Sequence, residues 1–283
     1  MFFLLCLFLS VHVCQSMSQE QWHAIKQHEI DGQKELAIVV PTYNNSRWCL
    51  KNVQTILDQK YENYHLYIIN DCSTDDTHER LCNYLSNHSL NEKVTLIHNE
   101  VRMGAMANWY NIIHQLPDHV IVLNIDGDDW LADDLVFARV NNAYADADVW
   151  MTFGQFKVWP DGYTGFCKRH DPEVIKDNKY RRSEWVSSHL RTYYAWLFKK
   201  IDKKDFMYKD AFLPTTCDRA IMYPLLEMCA GRYYCFEDEA LYMYNAKNPL
   251  ADVRRNLKIQ QCMCHYICSM EPYQPLGDVR ITL

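Results

Sequence analysis

The sequence predicts an α/β protein built on a mostly parallel sheet flanked by helices. Three observations predict it. Short apolar runs rich in aliphatic and β-branched residues alternate with segments of helical period from Leu36 to Leu131, the pattern of consecutive βαβ units. Three of these runs end in polar clusters, at Pro41 to Asn45, Asn70 to Thr77 and Asp126 to Asp129. The run before the last cluster, Val120 to Ile125, is short and mostly apolar and is bounded by a turn, as a buried central strand should be.

The elements follow in order. Leu36 to Val40 is the first strand, and Pro41 to Asn45 is a turn by residue type. Ser46 is a candidate cap for a helix from Arg47 to Asp58, with Leu50, Val53, Ile56 and Leu57 on one face. His65 to Ile69 is the second strand, and the polar loop after it opens a helix from Thr77 to Leu85. Val94 to His98 is the third strand; Gly104 precedes a helix from Ala105 to Gln115, closed by Pro117-Asp118. In the second half, Asp148 to Phe156 reads as a strand and Trp159 to Gly162 as a turn. Arg169 to Lys179 is charged and poor in apolar residues, so a mobile loop is expected. Glu184 to Lys200 is helical by pattern and carries His189 and Arg191. A further helix spans Asp218 to Met228, with Pro224 expected to bend or break it. Strands follow at Tyr233 to Phe236 and Leu241 to Tyr244, around acidic Glu237 to Glu239, and a helix and tail from Arg254.

Composition narrows the function. The chain has 283 residues and a net charge of −7, which argues against a nucleic-acid-binding surface. Its 19 tyrosines suit stacking on bases and sugars as well as a core. Met1 to Val13 is nearly all apolar but too short to span a bilayer. Residues 1–16 are therefore expected to be a secretory signal peptide or a short anchor, although no Lys or Arg precedes the apolar run. Secretory or membrane-associated localisation is favoured, with peripheral membrane association through the amino terminus, and a cytoplasmic chain is the alternative. The 12 cysteines form no CxxC pair; Cys262, Cys264 and Cys268 are expected to line a helix.

The acidic cluster carries the chemistry. Three carboxylates at one strand end repel one another and cannot be core. A divalent cation such as Mg²⁺ resolves this, because it takes one or two carboxylates together with substrate phosphate oxygens. An ordinary strand-to-helix turn is the alternative. Parallel sheets bind ligands beyond the carboxyl ends of their strands. That rule puts Tyr43-Asn44, Asp71 and Asp126 to Asp129 on one rim and points to a nucleotide and metal site.

VVPTYNN (Val39 to Asn45), NDCSTDDT (Asn70 to Thr77), RMGAMANWYN (Arg102 to Asn111) and NIDGDDWL (Asn124 to Leu131) resemble, in content, order and spacing, the family 2 glycosyltransferases of GT-A fold. The resemblance implies a Rossmann-like, mostly parallel sheet with a fused acceptor half: 34–155 for the nucleotide sugar, 156–253 for the acceptor and 254–283 as helix and tail. It implies a nucleotide-sugar donor, a Mn²⁺ or Mg²⁺ ion on a DxD motif, and inversion at the anomeric carbon. Carried over, Thr42 and Tyr43 line the nucleoside pocket with Asn44 beside them. Asp71 accepts from the base, which is uracil in many relatives, so a UDP-sugar is expected. Asp126 lies by ribose and metal, Asp128 ligates the metal, Asp129 fills a further acidic position, and Asn108 lies on the helix beneath the donor.

Two departures stand out. Arg102-Met103-Gly104 keeps the glycine of the family's Asn-x-Gly but not the asparagine, and there is no QxxRW, so a non-processive enzyme is expected. His189 or Arg191 could meet the donor diphosphate. Inverting transfer needs a carboxylate on the acceptor side to take the proton of the attacking hydroxyl. Asp218 is the choice, because it opens an apolar helix whose amino terminus favours a carboxylate and because the resemblance places it at the acidic position that the family uses as its base; Glu237 to Glu239 are the fallback. The acceptor is a saccharide, lipid or protein hydroxyl. The runner-up functions are a nucleotide-sugar nucleotidyltransferase, opposed by the lack of glycine in PTYNNSRW, and a non-catalytic sugar- or nucleotide-binding protein.

Overall fold

The computed structural model describes residues 32–88, 92–251, 254 and 256–277. The expected leader lies outside the described residues. From Lys34 onward the chain is one compact unit. Among the described residues no helix is long and apolar enough to cross a membrane.

Strand β1 (Leu36–Thr42) is buried over nearly its whole length and lies at the centre of the first half. It pairs in parallel with β2 (Tyr64–Asn70) on one side and β4 (Ile121–Asn124) on the other, and β2 pairs in parallel with β3 (Val94–His98). Helices α1 (Cys49–Leu57), α2 (Thr77–Asn87) and α3 (Ala105–Ile113) connect them, so strand and helix alternate as the sequence pattern requires. A two-residue strand β5 (Trp130–Leu131) and helix α4 (Val136–Ala143) lead into β6 (Met151–Trp159). Three elements follow: a short helix α5 (Pro172–Lys176), strand β7 (Arg191–Tyr194) and one helical turn, α6 (Ala195–Phe198). A small hairpin of β8 (Met207–Tyr208) and β9 (Ala211–Phe212), helix α7 (Cys217–Cys229), strand β10 (Tyr233–Asn245) and helix α8 (Leu257–Ser269) complete the chain. The large sheet runs β3-β2-β1-β4-β7-β6-β10-β5. The expected GT-A arrangement, a mostly parallel sheet flanked by helices, is the one found.

Four local expectations are corrected. Residues Glu184 to Lys200 are not one helix: β7 inserts antiparallel between β4 and β6, and only Ala195–Phe198 is helical. Every residue from Val186 to Phe198 is buried, and a segment covered on all sides carries no period to mark it as a strand. Ser46 does not cap α1. The carbonyl of Asn45 accepts the N–H groups of Trp48 and Cys49, both at 2.8 Å, and the Ser46 N–H donates to Asp75 Oδ2 at 3.1 Å. Arg169 to Lys179 is not all loop, since it contains α5, and His170 is buried with its Nε2 2.7 Å from Ser187 Oγ. Glu237 to Glu239 do not separate two strands; β10 runs through them, with its register against β6 shifting between Phe236 and Ala240.

Helix α7 continues through Pro224 rather than breaking there. A fully buried ion pair fixes it: Arg181 Nε and Nη2 donate to Glu227 Oε1 and Oε2 at 2.6 and 2.9 Å, while Arg181 Nη1 donates to the Ile267 carbonyl of α8 at 2.8 Å. Removing one member of such a pair leaves an uncompensated buried charge, which is why it ties α7 to α8. Cys262, Cys264 and Cys268 lie on α8 as expected, and the cysteines of the described residues are free thiols.

Candidate functional site

The carboxyl ends of β1 and β2 are sewn together by their loops. Asn44 has a positive φ of 50°, a conformation asparagine tolerates better than most residues. That bend lets its N–H donate to Ser73 Oγ at 3.0 Å and its Oδ1 accept the Thr74 N–H at 2.7 Å. The Arg102 guanidinium lies 3.8 Å from the centre of the Tyr43 ring, so a cation from the third loop covers the aromatic of the first. Asp71 joins the same loop. Its Oδ1 accepts from Asn99 Nδ2 and the Met103 N–H, and its Oδ2 from the Gly104 N–H, all at 2.8 Å. Burial alone would push the Asp71 carboxyl up. The Met103 N–H, the Asn99 and Asn108 side chains and the Gly104 N–H outweigh burial and hold it below its ordinary value. Asn108, on α3, accepts from Asn99 Nδ2 at 2.9 Å.

The turn after β4 sits directly on β1. A Cβ on Gly127 would lie 2.7 Å from Thr42 Cβ and 2.8 Å from the Pro41 carbonyl oxygen. Only glycine fits that contact, which buries Thr42 beneath the acidic turn. Asn52, buried on α1, donates to the carbonyls of Asp126 and Asp129 at 3.1 and 2.7 Å. From the far end of the chain, the Tyr242 hydroxyl accepts the Asp126 N–H at 3.0 Å. Asn245 donates its N–H to Asp129 Oδ1 at 2.7 Å, and Asn248 Nδ2 donates to Asp128 Oδ2 at 2.6 Å.

Asp126, Asp129 and His189 each offer a ligand atom, and these atoms lie within 4.8 Å of one another. Two atoms of the group, Asp129 Oδ2 and His189 Nδ1, are buried without a hydrogen bond. Burial first, then the charges of Asp128 and Asp126, push the Asp129 carboxyl well above the usual carboxylate range; the Asn245 N–H and Tyr242 hydroxyl offset only part of this. Burial and then the charge of Arg191 push the His189 imidazole well below its ordinary value, leaving the neutral form that ligates metals. The His189 ring stacks on Tyr242, 4.5 Å between centres and 6° between planes. Orphaned oxygen and nitrogen atoms facing one space fit a divalent cation. Asp128, the motif's expected ligand, stands outside this group and holds Asn248.

Arg191 lies on the other side of Asp126. Its guanidinium is buried, 3.4 Å from Asp126 Oδ2 and 3.8 Å from Asp218 Oδ2. Burial opposes its charge, but the two carboxylates more than offset this and raise its pKa. Asp218 sits in the first turn of α7; the cap residue is Thr216, so Asp218 is not itself the cap. Two of the three fallback carboxylates are engaged elsewhere, Glu237 with the Arg169 N–H and Glu239 with Arg139 at 3.1 Å. The rim thus gathers Thr42, Tyr43, Asn44, Asp71 and Asn108 around the first three strand ends. It sets Asp126, Asp129, His189, Arg191 and Asp218 in a chain of contacts beside them. Sequence reasoning missed Asn52, Tyr242, Asn245 and Asn248. Asn52 had a signal, a polar residue on the otherwise apolar buried face of α1 with Cys49, Val53 and Ile56. The other three had none.

Comparison with known proteins supplies a second line of evidence. A family model for Glycosyl transferase family 2 matches residues 37–206. The chain is 31% identical over 96 residues to the putative colanic acid biosynthesis glycosyl transferase WcaA of Escherichia coli, covering 34% of this chain and 33% of that protein. It is 25% identical over 176 residues to glycosyltransferase GlyA of Streptococcus pneumoniae, covering 58% of this chain and 24% of that protein. The matches thus span a third or less of these relatives' length. Two solved structures share the fold. S. aureus TarS 1-349 in complex with UDP-GlcNAc aligns with a TM-score of 0.57 at 17% identity, covering 76% of this chain and 59% of that chain. The mannosyltransferase PcManGT from Pyrobaculum calidifontis, in complex with GDP-Man and Mn²⁺, aligns with a TM-score of 0.55 at 15% identity, covering 85% and 66%.

Proposed function

The chain belongs to glycosyl transferase family 2, and on that premise we propose that it moves a sugar from a UDP-sugar to a hydroxyl acceptor, non-processively and with inversion. Residues 34–155 serve the donor and 156–253 the acceptor. The observation that carries this reading is the placement of Arg191, a buried cation between the donor-side carboxylate Asp126 and the acceptor-side carboxylate Asp218.

In this reading Tyr43 and the Arg102 guanidinium border the nucleoside, and Asp71 holds the Met103-Gly104 loop in place beside the base. Asp71 already accepts three hydrogen bonds and has the Asn108 side chain beside it, so a base would share or displace one of these donors. Mn²⁺ or Mg²⁺ would be held through Asp126, with Asp129 and His189 as the donors grouped with it. Asp128 would join as the motif implies by releasing Asn248. When bound, such a cation supplies positive charge to the departing diphosphate. Arg191 adds a fixed charge that needs no reorganisation, because its carboxylate partners already hold it. Asp218 takes the proton of the acceptor hydroxyl as its oxygen attacks the anomeric carbon, so the base works on the face opposite the leaving group. TarS bound to UDP-GlcNAc and PcManGT bound to GDP-Man and Mn²⁺ support a nucleotide-sugar donor and a metal on this fold.

The test is a donor screen across UDP-, GDP- and CMP-sugars with and without Mn²⁺, reading nucleotide release and the anomer formed by NMR. Metal-dependent UDP release with inversion is expected; no release from any donor would remove the reading. We also propose that residues 1–16 direct the chain to the secretory pathway or hold it at a membrane surface. Amino-terminal sequencing of protein from its own host should find a chain beginning near Met17, and an intact Met1 on cytosolic protein would refute export.

A further inference from the structure

The hydroxyl acceptor belongs to one of three classes, saccharide, lipid or protein. One cleft narrows it. A hollow of about 280 Å³ opens beside Asp218, between the amino-terminal turns of α7 and α8 and the Trp185 side chain. This is the small end of the range for ligand pockets, enough for the terminus of a chain.

Its walls have a definite chemistry. Thr216 caps α7, Asp218 and Arg219 come from its first turn, and Gln260, Gln261 and Cys264 come from α8. Among the described residues that line the cleft, Trp185 is the one aromatic and none is aliphatic. Arg219 is already oriented. Its guanidinium carbon lies 5.0 Å from the Trp185 ring centre, and its Nη1 donates to Cys264 Sγ at 2.9 Å. The Tyr223 ring meets Trp185 edge-on at 5.3 Å and fixes the indole plane.

These features separate the three acceptor classes. An acyl or polyprenyl chain requires a wall free of charges, and this one, in which polar and apolar surface are mixed, carries the Asp218 carboxylate, the Arg219 guanidinium and two amides. A peptide acceptor recognised through its backbone requires a strand edge or rows of backbone groups; the cleft is walled by side chains of two helices and a loop. A sugar ring offers an apolar C–H face and an equatorial fringe of hydroxyls. Trp185 suits the face, and the planar amides and guanidinium suit neighbouring hydroxyls, each giving two hydrogen bonds in a fixed geometry.

We propose that the acceptor is a carbohydrate, and that its terminal sugar docks in this cleft against Trp185, with Arg219, Gln260 and Gln261 as hydrogen-bonding partners, bringing one hydroxyl to Asp218. The assignment of the cleft as the acceptor site rests on the transferase reading; the affinity of the cleft for saccharides does not. The acceptor hydroxyl attacks the anomeric carbon, the bond to the diphosphate breaks, the electron pair leaves with the nucleotide, and Asp218 receives the proton.

Saccharide binding can be read without turnover. Saturation-transfer-difference NMR of the full chain with neutral and uronate-containing oligosaccharides, in the absence of donor, should show transfer to at least one series. Trp185→Ala should reduce its affinity by about tenfold or more, as truncating an aromatic anchor at an interface does, and Gln261→Ala, which removes an exposed amide from the rim, should reduce it less but measurably. Trp185→Phe should recover most of the loss of Trp185→Ala. UDP affinity reports that each variant has folded. Wild-type chain that binds none of the saccharides, or variants that bind as wild type does, would overturn the proposal. A chain that binds saccharide through Trp185 yet releases nucleotide from no donor would keep the cleft and discard the transferase reading.

Discussion

Arg191 and Asp71 show how single residues divide the labour at the rim. Arg191 is the cation between two carboxylates from opposite halves of the site. Asp71 is the acceptor that collects a loop. Because three hydrogen bonds converge on its carboxylate, Asp71→Ala should both loosen the Met103-Gly104 loop and weaken UDP binding. Calorimetry should show a loss of about 1–3 kcal/mol, the range for a hydrogen bond to a charged group; equal affinity for both chains would make Asp71 a loop clamp alone. A second test concerns the metal. Asp128 accepts from Asn248, whereas Asp126, Asp129 and His189 are grouped. If Asp128 exchanges Asn248 for the cation, Asp128→Asn should lower Mn²⁺ affinity by roughly tenfold or more. Unaltered Mn²⁺ affinity, read by titration calorimetry, would leave the other three as the whole set.

The elements differ in how openly the sequence announces them. Strands β1 to β4 and helices α1 to α3 are legible because apolar runs alternate with amphipathic segments, and the boundaries fall within a few residues of those expected. Strand β7 is not, because it is buried on both faces and its residues show no alternation. The same distinction governs the site. The acidic turn after β4 and the loop residues Tyr43, Asn44 and Asp71 follow from the rule that ligands gather at strand ends. Tyr242, Asn245 and Asn248 reach that turn across more than a hundred residues, and only the return of β10 to the sheet brings them there. His189 and Arg191 are visible in the sequence by their chemistry, but the helical pattern around them does not match the strand and bend that carry them. The close packing of the turn yields a test. Gly127→Ala would force a Cβ against Thr42 and the Pro41 carbonyl, so it should destabilise the chain by about 1–3 kcal/mol, as overpacking does. A urea midpoint unchanged from wild type would mean that β1 and the turn separate more easily than their contact suggests.

At the scale of the molecule, stability should fall on mild acidification for an identifiable reason. Burial lowers the His170 imidazole from 6.5 to about 4, with the charge of Asp171 opposing it only in part. The unfolded chain therefore binds a proton near pH 6.5 that the folded chain refuses until about pH 4. Stability from this group is complete above pH 6.5, declines as the pH falls from 6.5 to 4, and levels off below that. Linkage puts the decline at about 3 kcal/mol. Denaturant midpoints at pH 7 and pH 4.5 should show it, and His170→Asn should remove that part of the slope; identical slopes in the two chains would assign the acid sensitivity to other groups.

The same unit places Asp126 and Asp218 on either side of one buried arginine, and the division of roles proposed for them is what a single rate comparison can test. It is tested most directly by the rate of UDP release from a UDP-sugar in the presence of Mn²⁺, compared between wild type and Asp218→Asn, a change that keeps the side chain's shape and removes its basicity. With Asp218 as the base, the wild type releases UDP and the variant does so at a rate lower by about 10² or more. Release by Asp218→Asn within a few-fold of the wild type would contradict it and send the base elsewhere.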